Sequence, residues 1–184
     1  AGMRRPKSEW ATHTLLLGWK NVTLTLDEMI GTFGDRFMLS GTSPDFNTDW
    51  RWFKSPDVTP ESVNRRALEN YHRIVAAMLD YRVDPIGDIG VDGAALDRLA
   101  GLALETQMEA WHADSVAPIP RYLELAREIA DLVAPAMAET ATGIWDFCAA
   151  VERRLALGPS AGLDTKRFRP LFGRGQLFVC FQKI

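Results

Sequence analysis

The sequence predicts an α-rich α/β or α+β fold, with a small sheet of about three strands, including the C-terminal strand, covered by four to five helices. Three observations predict it. Residues 13–19 form a short, nearly continuous apolar run, the pattern of a strand covered on both faces. Residues 59–158 repeat apolar side chains at helical spacing between caps and prolines. Residues 176–182 carry apolar side chains on both faces of an extended segment, which suits a strand interior to a sheet.

The first strand, 13–19, is followed by Thr25-Leu-Asp-Glu28, where Thr25 and Glu28 have capping-box spacing. The helix it opens runs to about Phe33, with Gly34 as its stop. Residues 36–40 are a second apolar strand closed by Gly41. Strand, helix and strand within about 30 residues read as a βαβ unit with a parallel pair. An antiparallel pair, using residues 20–24 as extra strand, is the alternative.

Thr59-Pro60-Glu61 supplies an N-cap, a proline at the first helical position and an acid in the first turn. The helix is expected to reach about Arg82, with Val63, Ala67, Tyr71, Ile74, Val75 and Met78 inward. Residues 83–93 are an acidic loop with Pro85 and three glycines. A helix over about 94–112 turns Leu96, Leu99, Ala100, Ala103, Leu104 and Trp111 to the core. Pro118 and Pro120 open the next, which buries Leu123, Ala126, Ile129, Ala130 and Val133 and is kinked or ended by Pro135. The fourth helix of this region starts near Thr140 or Thr142, runs through Ile144, Cys148, Val151 and Leu155, and stops at Gly158-Pro159. In the last strand Leu177, Val179 and Phe181 alternate with Phe178 and Cys180, and it inserts beside the first two strands.

A single domain is expected over residues 1–184. Its parts are a tail over 1–12, a strand-helix-strand unit with an aromatic loop over 13–58, a four-helix region over 59–158, and a turn with a buried strand over 159–184. At 184 residues such a chain buries roughly 70% of its unfolded surface and needs no metal or disulfide for stability. Ala1-Gly2 before Met3 reads as an expression remnant. The apolar fraction of 47% and charged fraction of 24% are those of a soluble protein. A net charge of −3 with both signs interspersed draws the chain to no nucleic acid. No apolar run is long enough to span a bilayer and no secretory segment is evident, so a cytoplasmic location is expected, with no membrane partner. Cys148 and Cys180 lie among apolar neighbours and read as buried small hydrophobes.

Two Glu-x-x-His motifs, Glu69 to His72 and Glu109 to His112, have the spacing of carboxylate-bridged di-metal sites. Helical periodicity argues against that use. Glu69 falls about 170° from the centre of its helix's apolar face and His72 about 110°, so both point to solvent. The second motif lies outward by the same argument. Asp45, Asn47 and Asp49 imitate the start of a calcium loop, but Trp50 stands where glycine is required and Pro56 where glutamate is. No metal is therefore expected and no cofactor is assigned. Nucleotide-loop and hydrolase-elbow motifs do not occur. Gly173-Arg174-Gly175 ahead of the last strand offers either converging amides for an anion or a tight turn.

The segment 42–54 is the candidate site, because it concentrates aromatic and charged side chains in a loop leaving the end of a strand. Open α/β sheets bind ligands at such edges. Trp50 and Trp52 would stack on a substrate. Arg51, Lys54 and Arg174 would hold an anion, and Asp45 or Asp49 would serve as base. The expected function is a small-molecule enzyme or enzyme subdomain, with group transfer on a polar or anionic substrate as its reaction. The alternative is a non-catalytic interaction module, with the same aromatics anchoring a partner protein. A third reading makes the loop a structural plug over the sheet.

Overall fold

The computed structural model describes residues 24–43, 45–46, 54–80, 82–84, 87–158, 160–163, 166–168, 171 and 178–184. Among them the order is α1 (Leu26–Phe33), β1 (Phe37–Ser43), α2 (Pro60–Ile74), a 3-10 turn (Val75–Met78), α3 (Gly93–His112), α4 (Ile119–Val133), α5 (Ala138–Leu157) and β2 (Phe178–Lys183). The fold is α-rich with a small sheet, as the sequence predicts. Among the described residues the sheet has two strands, not three. The expected strand 13–19, and with it the parallel βαβ pair, lies outside them.

The capping boxes form as expected. The Thr25 hydroxyl accepts from the Glu28 amide at 3.2 Å while the Glu28 carboxylate accepts from the Thr25 amide at 2.7 Å. Thr59 and Ser62 exchange the corresponding bonds at the start of α2. Helix α2 ends earlier than its period suggests, because the chain tightens into the 3-10 turn at Val75. Helix α5 starts at Ala138, a turn ahead of the expected position near Thr140 or Thr142.

β1 and β2 pair antiparallel, from Phe37 opposite Lys183 to Ser43 opposite Phe178. The register shifts between Leu39 and Gly41, and the Ser40 hydroxyl donates to the Cys180 carbonyl at 3.1 Å. Gly41 therefore sits beside a bulge within the strand instead of ending it, a common position for strand glycine. Val179 and Phe181 are partly buried and pack on the core, whereas Cys180 is exposed. The expectation of a two-sided buried strand with a buried Cys180 is thus corrected. A ribbon covered on one face buries alternate residues only.

Phe33 joins α1 to the ribbon through edge contacts with Phe37 and Phe181. Asn64, 2% exposed on α2, joins α2 to β1: its Oδ1 accepts from the Leu39 amide at 2.8 Å and its Nδ2 donates to the Phe37 carbonyl at 3.0 Å. The main core lies between α2, α3, α4 and α5, around Leu96, Leu123, Val133, Ile144 and Cys148. Trp111 and Leu155, both expected inside, are 59% and 45% exposed. They lie in the final turns of α3 and α5, where the periodic stripe runs past the packed region.

One buried charge fastens the chain just after the 3-10 turn to α5. Asp80 is 1% exposed and accepts from the Arg82 guanidinium at 2.7 Å and the Thr140 hydroxyl at 2.8 Å. Arg82 continues to Glu139 at 3.2 Å. The Arg82 hydrogen bonds hold the Asp80 carboxyl below its ordinary range against the effect of burial. A carboxylate depressed in this way stabilises the fold above its unfolded value, and that stability is lost as pH falls through the folded one. Asp80→Asn is expected to cost about 2 kcal/mol near neutral pH, tempered by the exposure of Arg82. It should also flatten the acid limb of stability, as followed by urea unfolding at a series of pH values.

Candidate functional site

Of the loop residues singled out in the sequence, Asp45 and Lys54 are described and both are exposed. Asp49, Trp50, Arg51, Trp52 and Arg174 lie outside the described residues. The segment's start is anchored by Phe46, which is 3% exposed. Its amide donates to the Thr42 hydroxyl at 3.0 Å and its carbonyl accepts from Asn70 at 3.2 Å. Its ring meets that of Tyr71 at 5.2 Å, so this one aromatic of the segment is core.

Tyr71 carries the contact onward. It is 5% exposed, and its hydroxyl donates to Asp97 Oδ1 at 2.7 Å. Asp97 stands on the wall of a cleft of about 670 Å³ between the first turn of α1 and the length of α3. That volume lies within the usual range for small-molecule sites. The geometry follows from helical spacing. Asp97, Gly101, Glu105 and Glu109 recur every four residues on α3 and so share one face, opposite the buried Leu96 and Ala103. Gly101 faces the cap of α1: a side-chain carbon there would make ordinary contact, at 3.6 Å, with the Thr25 methyl. The cap of α1 therefore lies against the middle of α3, bringing Asp27 and Glu28 to the cleft.

The lining is unbalanced in charge. Asp27, Glu28, Asp97, Glu105 and Glu109 supply five carboxylates, against one guanidinium, Arg98, and one imidazole, His112. Leu102, Leu104 and Met108 add apolar wall. Burial raises the Asp97 carboxyl above its ordinary value, outweighing the Tyr71 hydrogen bond and the nearby His72, while Asp27 and Glu28 push it further up. Burial and the Asp97 carboxylate push the Tyr71 phenol up strongly. Tyr71 is therefore a fixed donor that orients Asp97, and the Asp97 carboxyl takes up a proton more readily than an ordinary aspartate.

His72 departs from its sequence expectation. It is packed and not solvent-facing: its side chain is 20% exposed and Nε2 stands 3.7 Å from Asp27 Oδ2. Glu69, Glu109 and His112 are exposed, as the helical period requires. Among the described residues no group of three or more His, Cys, Asp or Glu side chains is arranged to hold a metal ion, and no helix is long and apolar enough to cross a membrane.

Sequence reasoning missed the cleft because its carboxylates read individually as a solvated helix face. The legible signal was the acidic i, i+4 stripe of Asp97, Glu105 and Glu109 on one helix face. A second concavity, of about 700 Å³, lies at the far end of α3 between Trp111, Val116, Tyr122, Phe147 and Phe168. The rings of Phe147 and Phe168 stack there at 4.1 Å. No protein-family model matches the chain, and neither a curated protein nor a solved structure matches it.

Proposed function

We propose that the protein binds a small organic cation, an amine with an apolar body, in the cleft between α1 and α3, as an enzyme or enzyme subdomain with Asp97 as its proton acceptor. The observation that carries this reading is the excess of carboxylates around a partly apolar cleft, with the one of raised basicity oriented by a buried tyrosine. Carboxylates grouped along a concave wall attract a cation more strongly together than each would alone. The apolar wall formed by Leu104 and Met108 suits a hydrocarbon body. Phe46 links the 42–54 segment to this site through Tyr71. The anion expected of Arg51, Lys54 and Arg174 has the opposite charge, so the two expectations are separable.

A thermal-shift screen of alkyl and aryl amines against phosphates and carboxylates tests the reading. Amines should raise Tm by about 5–10 °C at a hundredfold excess over Kd. Asp97→Asn and Glu105→Gln should each reduce that rise, and acidification through the elevated range of Asp97 should weaken binding as its charge is lost. Stabilisation by anions, unchanged in Asp97→Asn, would return the site to the 42–54 segment. A second reading, an interaction module, is supported by the exposure of Trp111 and Val116, 59% and 65%, beside the stacked phenylalanines. Trp is a residue type that dominates protein hot spots.

A further inference from the structure

We propose that His72 and Asp27 form a proton-operated latch between α2 and α1, which engages on acidification and draws one carboxylate out of the cleft. His72 Nε2 is enclosed and has no hydrogen-bond partner among the described residues. A neutral imidazole presents one donor and one acceptor nitrogen, and an enclosed nitrogen of either kind is costly without a partner. Protonation makes Nε2 a charged donor, and Asp27 Oδ2 waits 3.7 Å away. A shift of roughly 1 Å brings the pair to the length of a charge-assisted hydrogen bond.

The charged groups around the imidazole are mostly acidic. Asp27 stands against it from α1, with Glu28 on the same turn and close enough to act on Asp97. Asp97 acts on it from α3. On its own helix Tyr71 lies alongside with ring centroids 5.6 Å apart, and Arg73, exposed, follows it in sequence. His72 is in the last turn of α2, where the helix dipole stabilises a cation. The shift has a direction, because α2 is held in place. Its end is packed backbone against backbone on the start of α3, where a side-chain carbon on Gly93 would collide with the His72 carbonyl. The Asp27 side chain is 56% exposed against 20% for His72, so Asp27 is the partner that moves. Engagement pairs Asp27 with His72 and weakens the hold on a bound cation. That consequence rests on the cation reading of the cleft; the latch itself does not.

A double-mutant cycle with His72→Gln, Asp27→Asn and both together, measured by urea unfolding without ligand, tests the latch. The pair should be coupled by about fivefold in the folding equilibrium at about pH 5.5 and by less than twofold at about pH 8, the range over which histidine changes charge. Coupling that is equal at the two pH values, or absent at the lower, overturns the latch. Asp97 feels both His72 and Asp27, so the cycle is run in an Asp97→Asn background, where that contribution is absent. Should His72→Gln fail to fold, long-range 1H–15N spectra of wild type and Asp27→Asn replace the cycle. A protected Nε2 proton at low pH in wild type alone supports the latch, and its absence from wild type overturns it. Amine release on acidification is then compared between wild type and Asp27→Asn, since His112 is present in both. A coupled pair with no amine binding would leave the latch standing and remove the cation reading.

Discussion

Asn64→Ala is expected to lower the stability of the protein by about 3 kcal/mol, because it withdraws two hydrogen bonds at once, one from buried and one from partly buried backbone. Asn64 lies on α2 but behaves toward β1 as a neighbouring strand would. It accepts from the Leu39 amide and donates to the Phe37 carbonyl, two residues apart on the strand. Leu39 is 1% exposed, so water cannot readily replace the lost acceptor. The loss should appear in the midpoint of urea unfolding with the slope unchanged. Asn64→Asp separates hydrogen bonding from side-chain size. It keeps the acceptor, removes the donor and buries a charge, so it should be at least as damaging near neutral pH and should recover in part as acid neutralises the carboxyl. A variant as stable as wild type would show that β1 is held by its ribbon partner alone.

Gly93→Ala is expected to destabilise by about 3 kcal/mol, although alanine is the better helix former and gains up to about 1 kcal/mol at an unstrained helical position. The reversal of sign is the diagnostic. Gly93 is the first residue of α3, follows the Asp92 cap, and is buried. The added carbon would meet the carbonyl, carbonyl carbon and Cα of His72. These are backbone atoms that cannot rotate away, so α3 must lift from the end of α2. Asp97 lies one turn further along and depends on Tyr71 from α2 for its orientation. The same substitution should therefore weaken amine binding by more than its cost in stability explains. Calorimetric unfolding and a binding titration read the two effects separately.

How far the fold was legible follows from where each signal resides. The Thr25–Glu28 and Thr59–Ser62 caps involve residues three apart, and the hydrogen bonds that start α1 and α2 are made within those same residues. Gly158, with φ of 84°, ends α5 where the sequence places the stop, because a left-handed residue is required there and glycine adopts it at little cost. Helical period sorted Leu96, Ala103, Leu123 and Ile129 to the core correctly. It failed at Trp111 and at His72, where the outcome depends on which neighbour lies across the helix. Trp111 borders an open groove, while His72 has Asp27 of α1 beside it and an enclosed nitrogen that the angle alone would expose to water. Cys180 was misread for a related reason, since two apolar faces do not bury themselves without a layer on each side.

The candidate site divides along the same line. Composition marked residues 42–54 and chemistry by residue type, and of that segment the structure adds that Phe46 is buried against Tyr71. The acidic cleft joins residues 25–28 to residues 94–112, two segments that share no local pattern. Caps, turns and helical stripes are settled by residues within about four positions of one another, so the chain's own chemistry determined them. The charge balance of the cleft, the elevated proton affinity of Asp97 and the enclosure of His72 were decided only by the tertiary structure. Burial and electrostatic fields are summed over whatever folding brings near, however far apart it stands in the chain.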